Sequence, residues 1–301
     1  MGYELRIVDV FAARRYEGNP LAVVLDASGL GTNDMQAIAR ETNLSETTFV
    51  CGQEANGSYR VRIFTPGEEL PFAGHPTLGT ASVLRDVLAA RGEVVSRVVL
   101  SLGVGEVPVE FEDPGDSRGE GDSSIAWFTA PPVNLERPPD PTSVARAVGL
   151  DPEDLADDVP PGSVRAGPAF LFVPLRSREA LERSRLDMQA IQPLVDEGFA
   201  KSVYLFTRET EGAENDLCAR VFFDANGVRE DPATGSATAC LGAYLLENRW
   251  LGEGPLDLRI EQGISMKRPS LLRLRARFDA KGERVIRVGG RVVSVLRGEL
   301  L

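Results

Sequence analysis

The sequence predicts an antiparallel-rich α+β protein built from two similar halves. Three observations carry that expectation. Strand-like runs follow one another with few, long helices between them, whereas a doubly wound parallel sheet would alternate strand and helix. A strand–loop–helix arrangement occurs twice, half a chain apart. Neither the glycine pattern of a dinucleotide-binding turn nor that of a P-loop follows a strand, so no nucleotide site is indicated.

The clearer copy runs from Arg220 to Ala243. The apolar run Val221–Phe223 leads through a turn-rich loop into Pro232-Ala-Thr-Gly-Ser and then a helix of small residues, Ala237-Thr-Ala-Cys-Leu-Gly-Ala-Tyr-Leu-Leu. Ser236 is suited to cap that helix, and Gly235 lets a ligand approach the backbone closely. Free N–H groups and the positive end of the helix dipole then make a site for a small anion, most simply a carboxylate. The earlier copy is Arg60-Val-Arg-Ile-Phe-Thr, then Glu68-Glu-Leu-Pro-Phe-Ala-Gly-His-Pro, then Thr77-Leu-Gly-Thr-Ala-Ser-Val-Leu. Laying Gly74 on Gly235 puts Glu69 on Glu230 and His75 on Ser236, and Arg62 meets Arg220 if the loops differ by three residues. Pro76 falls in the first helical turn, where its missing N–H costs little. The expected architecture is a duplicated fold with two helix N-termini facing one cleft.

A chain of 301 residues suits two domains of about 150 each. The net charge of −12 argues against nucleic acid and anionic membranes as partners, because phosphate binding needs clustered Lys and Arg. Met1 leads directly into a strand, Glu4-Leu-Arg-Ile-Val-Asp-Val-Phe, and no apolar run approaches a membrane span, so a soluble cytoplasmic protein is expected. Cys51, Cys218 and Cys240 are far apart and odd in number, which fits buried small residues in a reducing compartment.

Taken in order, alternation predicts strands over 4–11 and 20–25, with Glu17-Gly-Asn as the turn and Asn19-Pro20 as turn chemistry. Thr32-Asn-Asp-Met-Gln-Ala-Ile-Ala-Arg-Glu reads as an amphipathic helix with Met35, Ile38 and Ala39 inward. A polar turn at Asn43 enters the strand through Thr47 and Phe49. Strands at 58–64, 94–101, 104–111 and 124–129 and a helix from Pro76 to Ala90 complete the first half. The charged, glycine-rich run 112–123 reads as a flexible hairpin tip. The proline cluster Pro131 to Pro141 marks the domain crossing. The expected domains are 1–128 and 129–287, with a final strand over 288–301 returning to the first. The second half should hold helices at 141–149, 178–184, 187–197 (opening at Asp187) and 236–248. Its strands fall at 168–174, 202–208, 217–223, 257–262, 271–278, 284–289 and 291–298.

The charged residues of interest lie in apolar or glycine-rich surroundings. Glu46 stands at the mouth of a strand, where partial desolvation would favour uptake of a proton; the plainer alternative is an exposed strand-start glutamate. His75 is the only histidine, in a Gly-His-Pro turn at a helix start, placed either for packing or for a ligand. Asp231 precedes Pro232, with Ser236 five positions on, as a loop and cap or as part of a site. A hydrolase triad of His75, Asp231 and Ser236 is disfavoured because no nucleophile-elbow pattern surrounds the serine. One histidine and no paired cysteines leave few ligands for zinc.

Several stretches in order resemble the phenazine biosynthesis PhzF-like family: Gly18-Asn-Pro-Leu-Ala-Val-Val, Asn43-Leu-Ser-Glu-Thr-Thr-Phe, Arg62-Ile-Phe-Thr-Pro, Phe72-Ala-Gly-His-Pro-Thr-Leu-Gly-Thr-Ala and Arg229-Glu-Asp-Pro-Ala-Thr-Gly-Ser-Ala. The resemblance continues through Glu261-Gln-Gly and Gly290-Arg-Val. It implies the diaminopimelate epimerase fold: two pseudo-symmetric halves, each a β-barrel-like sheet around a central helix, with the active site in the cleft between them. It also implies a homodimer and no cofactor. Residue by residue, it makes Glu46 the group that moves a proton between substrate carbons, with His75 and Asp231 assisting. Asn19, Gly74, Gly235 and Ser236 would hold a small carboxylate-bearing substrate. The wider superfamily's epimerases carry a cysteine before the glycine-rich turn of each half; Ala73 and Pro232 are expected there. That departure favours an isomerase with one carboxylate base. The alternatives are an epimerase or racemase using Glu46 and Asp231, and a non-catalytic small-molecule-binding protein.

Overall fold

Short β-branched and aromatic runs broken by turns form strands, and the two stretches of small and apolar residues form the two longest helices. The computed structural model describes residues 2–112, 124–225 and 228–301, and positions 113–123 of the expected hairpin tip lie outside the described residues. The chain divides into two units, residues 1–129 with 289–301, and residues 130–288.

In the first unit, β1 (Tyr3–Val10) pairs antiparallel with β2 (Asn19–Val24), and β2 runs parallel to β3 (Glu46–Gln53) after the crossover helix α1 (Thr32–Thr42). β3 pairs antiparallel with β4 (Tyr59–Phe64). The other edge of β4 takes the two-residue β5 (Glu69–Leu70). It also runs parallel to β6 (Arg97–Leu102), which follows helix α2 (Gly74–Ala90). β7 (Gly105–Glu112) and β8 (Ile125–Thr129) continue antiparallel. Helix α2 buries residues on all its faces, among them Thr77, Leu78, Thr80, Ala81 and Leu84, and touches β1, β2, β3, β6, β7 and β8. A helix apolar all round has to sit inside, and this sheet wraps it.

The second unit repeats the scheme. It opens with β9 (Asn134–Leu135), α3 (Pro141–Ala147), β10 (Gly162–Arg165) and β11 (Ala169–Pro174). Two short helices, α4 (Arg178–Arg183) and α5 (Gln192–Asp196), lead to β12 (Val203–Thr207), which is parallel to β11. β13 (Leu217–Ala225) pairs antiparallel with β12 and with the short β14 (Val228–Asp231). After α6 (Gly235–Asn248), β15 (Leu256–Gln262) runs parallel to β13 and antiparallel to β16 (Ser270–Phe278). β17 (Arg284–Gly290) follows, and the chain ends in β18 (Val292–Leu300), which belongs to the first unit and pairs antiparallel with β1 there. Helix α6 is buried from Ala237 to Leu246 and packs on β9, β10, β11 and β16. Phe172, Phe206, Tyr204 and Tyr244 stack around it.

The architecture is therefore mixed α+β and sheet-dominated, with one buried helix in each unit. Three local expectations are corrected. Asn19 is not turn chemistry; it opens β2 and is fully buried. Asp187 does not open a helix running to 197: its carboxylate accepts from the N–H groups of Gln189 and Ala190 in a turn, and α5 begins only at Gln192. Ser236 does not cap α6; the boundary residue is Thr234 and Ser236 is the second helical residue. The three cysteines are unbridged and buried. No helix of the described residues is long and apolar enough to cross a membrane.

Candidate active site

In the first unit the parallel register of β2 with β3 sets Leu21 opposite Glu46, so the glutamate is the first residue of its strand. The strand is tied on both sides by hydroxyls, Thr47 to Thr42 of α1 at 2.7 Å and Thr48 to Thr80 of α2 at 2.8 Å. His75 is the second residue of α2. The tie to α2 brings the Glu46 carboxylate and the imidazole together, with Glu46 Oε2 at 3.3 Å from His75 Nε2. At that distance neither atom is aligned on the other for a full hydrogen bond. On the far side of the ring, Asn19 Nδ2 lies 3.3 Å from His75 Nδ1.

The environments of the two groups differ. The His75 side chain is 5% exposed and the Glu46 side chain 16% exposed. Burial pushes His75 down to about 3, so the imidazole is neutral at physiological pH. The positive end of α2 acts in the same direction, since it disfavours a second positive charge. The site thus sets a neutral imidazole beside a carboxylate that solvent can reach.

In the second unit Asp231 ends β14, directly before the loop into α6, and is 5% exposed. Thr234 Oγ1 donates to Asp231 Oδ2 at 2.5 Å. Gln262, fully buried at the end of β15, holds both residues. Its Nε2 donates to the Asp231 carbonyl at 2.8 Å and to Thr234 Oγ1 at 3.1 Å, while its Oε1 accepts from the Thr234 N–H at 3.2 Å. The next residue, Gly263, is in the left-handed region at φ 75°, and a side chain there would strike the Pro232 carbonyl at 2.6 Å. Gln262 and Gly263 thus clasp the loop from Asp231 to Thr234. Gly235 and Ser236 follow as the first helical residues, whose N–H groups precede the first intrahelical hydrogen bond.

The registers fix which residues correspond between units. Val24 and Phe49 pair in the first unit as Val173 and Leu205 do in the second, and Phe49 faces Arg62 as Leu205 faces Arg220. Counting back along those strands, Glu46 corresponds to Ser202 and Asn19 to Pro168. The two arginines each clamp the glutamate that the repeat assigns to them. Arg62 holds Glu69 at 2.7 and 2.6 Å, and Arg220 holds Glu230 at 2.8 and 2.9 Å. The Arg62 hydrogen bond holds the Glu69 carboxyl below the usual carboxylate range. A side chain on Gly103 would strike Pro71 as one on Gly263 would strike Pro232, so Pro71 and Pro232 correspond. This corrects the expectation that Pro232 matches Ala73. The residue bounding α6 is Thr234 and that bounding α2 is Ala73, and neither is a cysteine.

Within the first unit, the expected site residues Asn19, Glu46 and His75 are brought together, with Gly74 beside the histidine. Within the second, Asp231, Gly235 and Ser236 share one helix start. Thr234 and Gln262 were given no role from sequence. The signal for Gln262 was present: a polar residue in the apolar register of an alternating strand, after Leu256, Leu258 and Ile260, and immediately before a glycine. Among the described residues no three His, Cys, Asp or Glu side chains come together as a metal's ligand set.

Comparison with known proteins places these features. Residues 8–298 match the family described as phenazine biosynthesis-like protein. An uncharacterized isomerase of Mesorhizobium japonicum is 37% identical over 98% of this chain and 97% of its own. The trans-2,3-dihydro-3-hydroxyanthranilate isomerase of Pseudomonas aeruginosa is 36% identical over 97% of each chain. The crystal structure of a Bacillus anthracis phenazine biosynthesis protein of the PhzF family superposes with a TM-score of 0.87 at 25% identity, covering 100% of this chain and 99% of that one.

Proposed function

We propose, from the premise that this chain belongs to the phenazine biosynthesis-like protein family and is an isomerase, that it shifts a proton between neighbouring carbons of a small carboxylate-bearing substrate. Glu46 is the acid and base. It takes the proton from one carbon, leaving the electron pair on the substrate, and returns it to the next. His75, neutral, presents an N–H to the carboxylate or to charge developing on the substrate. Asp231 hydrogen-bonds the substrate, and the N–H groups of Gly74, Gly235 and Ser236, with the Ser236 hydroxyl, hold its carboxylate.

The observation that supports this reading is the asymmetry of the repeat. A racemisation with one base on each face asks for a second proton carrier, yet the second unit has Ser202 and Ser236 at the positions of Glu46 and His75. Proton return by a single carboxylate needs only one.

The substrate of the Pseudomonas relative, trans-2,3-dihydro-3-hydroxyanthranilate, is the first compound to test. Proton NMR in deuterated buffer should show its signals replaced by those of an isomer with a shifted double bond. Unchanged signals for that compound and for a panel of cyclic and amino carboxylates would overturn the isomerase reading. Deuterium entering an α-carbon with inversion would replace it by an epimerase using Glu46 and Asp231.

A further inference from the structure

Asn19 was expected to bind substrate, yet its side chain is fully buried and its amide is directed at the ring of His75. An imidazole with one proton must offer a lone pair to a donor and its N–H to an acceptor. Asn19 Nδ2 is a donor, 3.3 Å from Nδ1. The Glu46 carboxylate is an acceptor, 3.3 Å from Nε2. The amide end of the ring asks for this arrangement, and the carboxylate beside Nε2, not aligned for a full hydrogen bond, is compatible with it.

We infer that Asn19 is a positioning residue that fixes His75 as the tautomer with its lone pair on Nδ1 and its proton on Nε2, facing Glu46. This rests on the reading of Glu46 as the acid and base, and it adds a division of labour. With Nδ1 occupied by the amide, the ring has no free lone pair to accept a proton. His75 is then a fixed donor and not a relay, so a proton lifted from the substrate stays on Glu46 until that residue returns it. The second unit lacks the device altogether, with Pro168 and Ser236 at the positions of Asn19 and His75.

Nitrogen-15 NMR of the imidazole tests this without a substrate, because the chain has one histidine and its ring signals need no assignment. The wild-type protein at neutral pH should show a protonated Nε2 and a bare Nδ1. Asn19→Leu should lose that purity and gain the Nδ1–H form, and Asn19→Asp, an acceptor, should move the proton to Nδ1 or add one there. A wild-type ring protonated at Nδ1, or an Asn19→Leu spectrum unchanged from wild type, overturns the inference. Should Asn19→Leu fail to fold, Asn19→Ala takes its place, and the wild-type spectrum alone still decides which nitrogen bears the proton. Failure here leaves the isomerase reading untouched, because the loss of substrate conversion expected of a Glu46→Gln variant does not depend on the tautomer.

Discussion

The two units build the same helix start and furnish it differently. Each has an apolar helix preceded by a proline three residues before its first glycine, an arginine–glutamate clamp, and a threonine that bonds back to the boundary residue's carbonyl, Thr77 to Ala73 and Thr238 to Thr234. Around that frame the first unit sets the amide of Asn19, the imidazole of His75 and the carboxylate of Glu46. The second sets Pro168, Ser236 and Ser202 at those positions. It places a hydrogen-bonded clasp of Asp231, Thr234 and Gln262 where the first has Leu70, Ala73 and Leu102 at the corresponding positions. On the proposed reading, the duplicated scaffold is divided into a unit that moves a proton and a unit that holds the substrate.

Several changes would break or sharpen that contrast. The largest effect is expected at Glu46: Glu46→Gln should cost about 10²–10⁴ in turnover, the usual contribution of a positioned acid–base group, whereas Ser202→Ala should cost almost nothing. Steady-state kinetics on the same substrate checks both.

The arginine clamps provide a comparison at matched chemistry. Arg220 and Glu230 side chains are 8% and 17% exposed, and Arg62 and Glu69 are 28% and 41% exposed. Arg220 also donates to the carbonyls of Leu181, Glu182 and Ser184 at the end of α4. Arg220→Met should therefore destabilise the protein by about 3–5 kcal/mol and Arg62→Met by about 1 kcal/mol, read from urea unfolding. Equal losses would mean that burial does not separate the two units.

Gln262→Leu makes the second unit more like the first at this position. It leaves the Asp231 carbonyl and the Thr234 N–H without their partner and should cost about 2–4 kcal/mol. Its effect on turnover should vanish in an Asp231→Ala background if the clasp acts through Asp231. Additive losses would make Gln262 structural only.

The effect that is smallest at neutral pH, and grows only as the pH falls, is the pH dependence due to His75. The unfolded chain protonates this imidazole below its ordinary value of 6.5, while the folded chain does so only near 3. Between those values the unfolded state binds the extra proton, so stability falls as the pH drops, by up to about 1.4 kcal/mol per pH unit. His75→Gln should flatten that part of the curve, measured as the difference between urea melts of the two proteins. A curve unchanged by the substitution would contradict the buried, neutral ring.

Much of this was legible in sequence because it is local. The buried helices follow from their small and apolar residues, and the repeat follows from the spacing of Glu69, Gly74, Glu230 and Gly235. What escaped depends on contacts far apart in the chain. Asn19 looks like turn chemistry until the pairing of β1 with β2 turns it toward His75, 56 positions away. Gln262 sits 28 residues from Thr234, and only the parallel pairing of β15 with β13 brings it to the loop. Ser236 resembled a cap because Ser is a common N-cap residue. The chain instead enters the helix one residue earlier, at Gly235, with the Thr234 hydroxyl committed to Asp231.

The central claim is that one carboxylate, in one unit, carries the proton. The most direct test is proton NMR of trans-2,3-dihydro-3-hydroxyanthranilate in deuterated buffer with wild-type protein, Glu46→Gln and Ser202→Ala, each shown to be folded by circular dichroism. Conversion by the wild type and Ser202→Ala but not by Glu46→Gln is the result expected. Conversion by Glu46→Gln at the wild-type rate would contradict it.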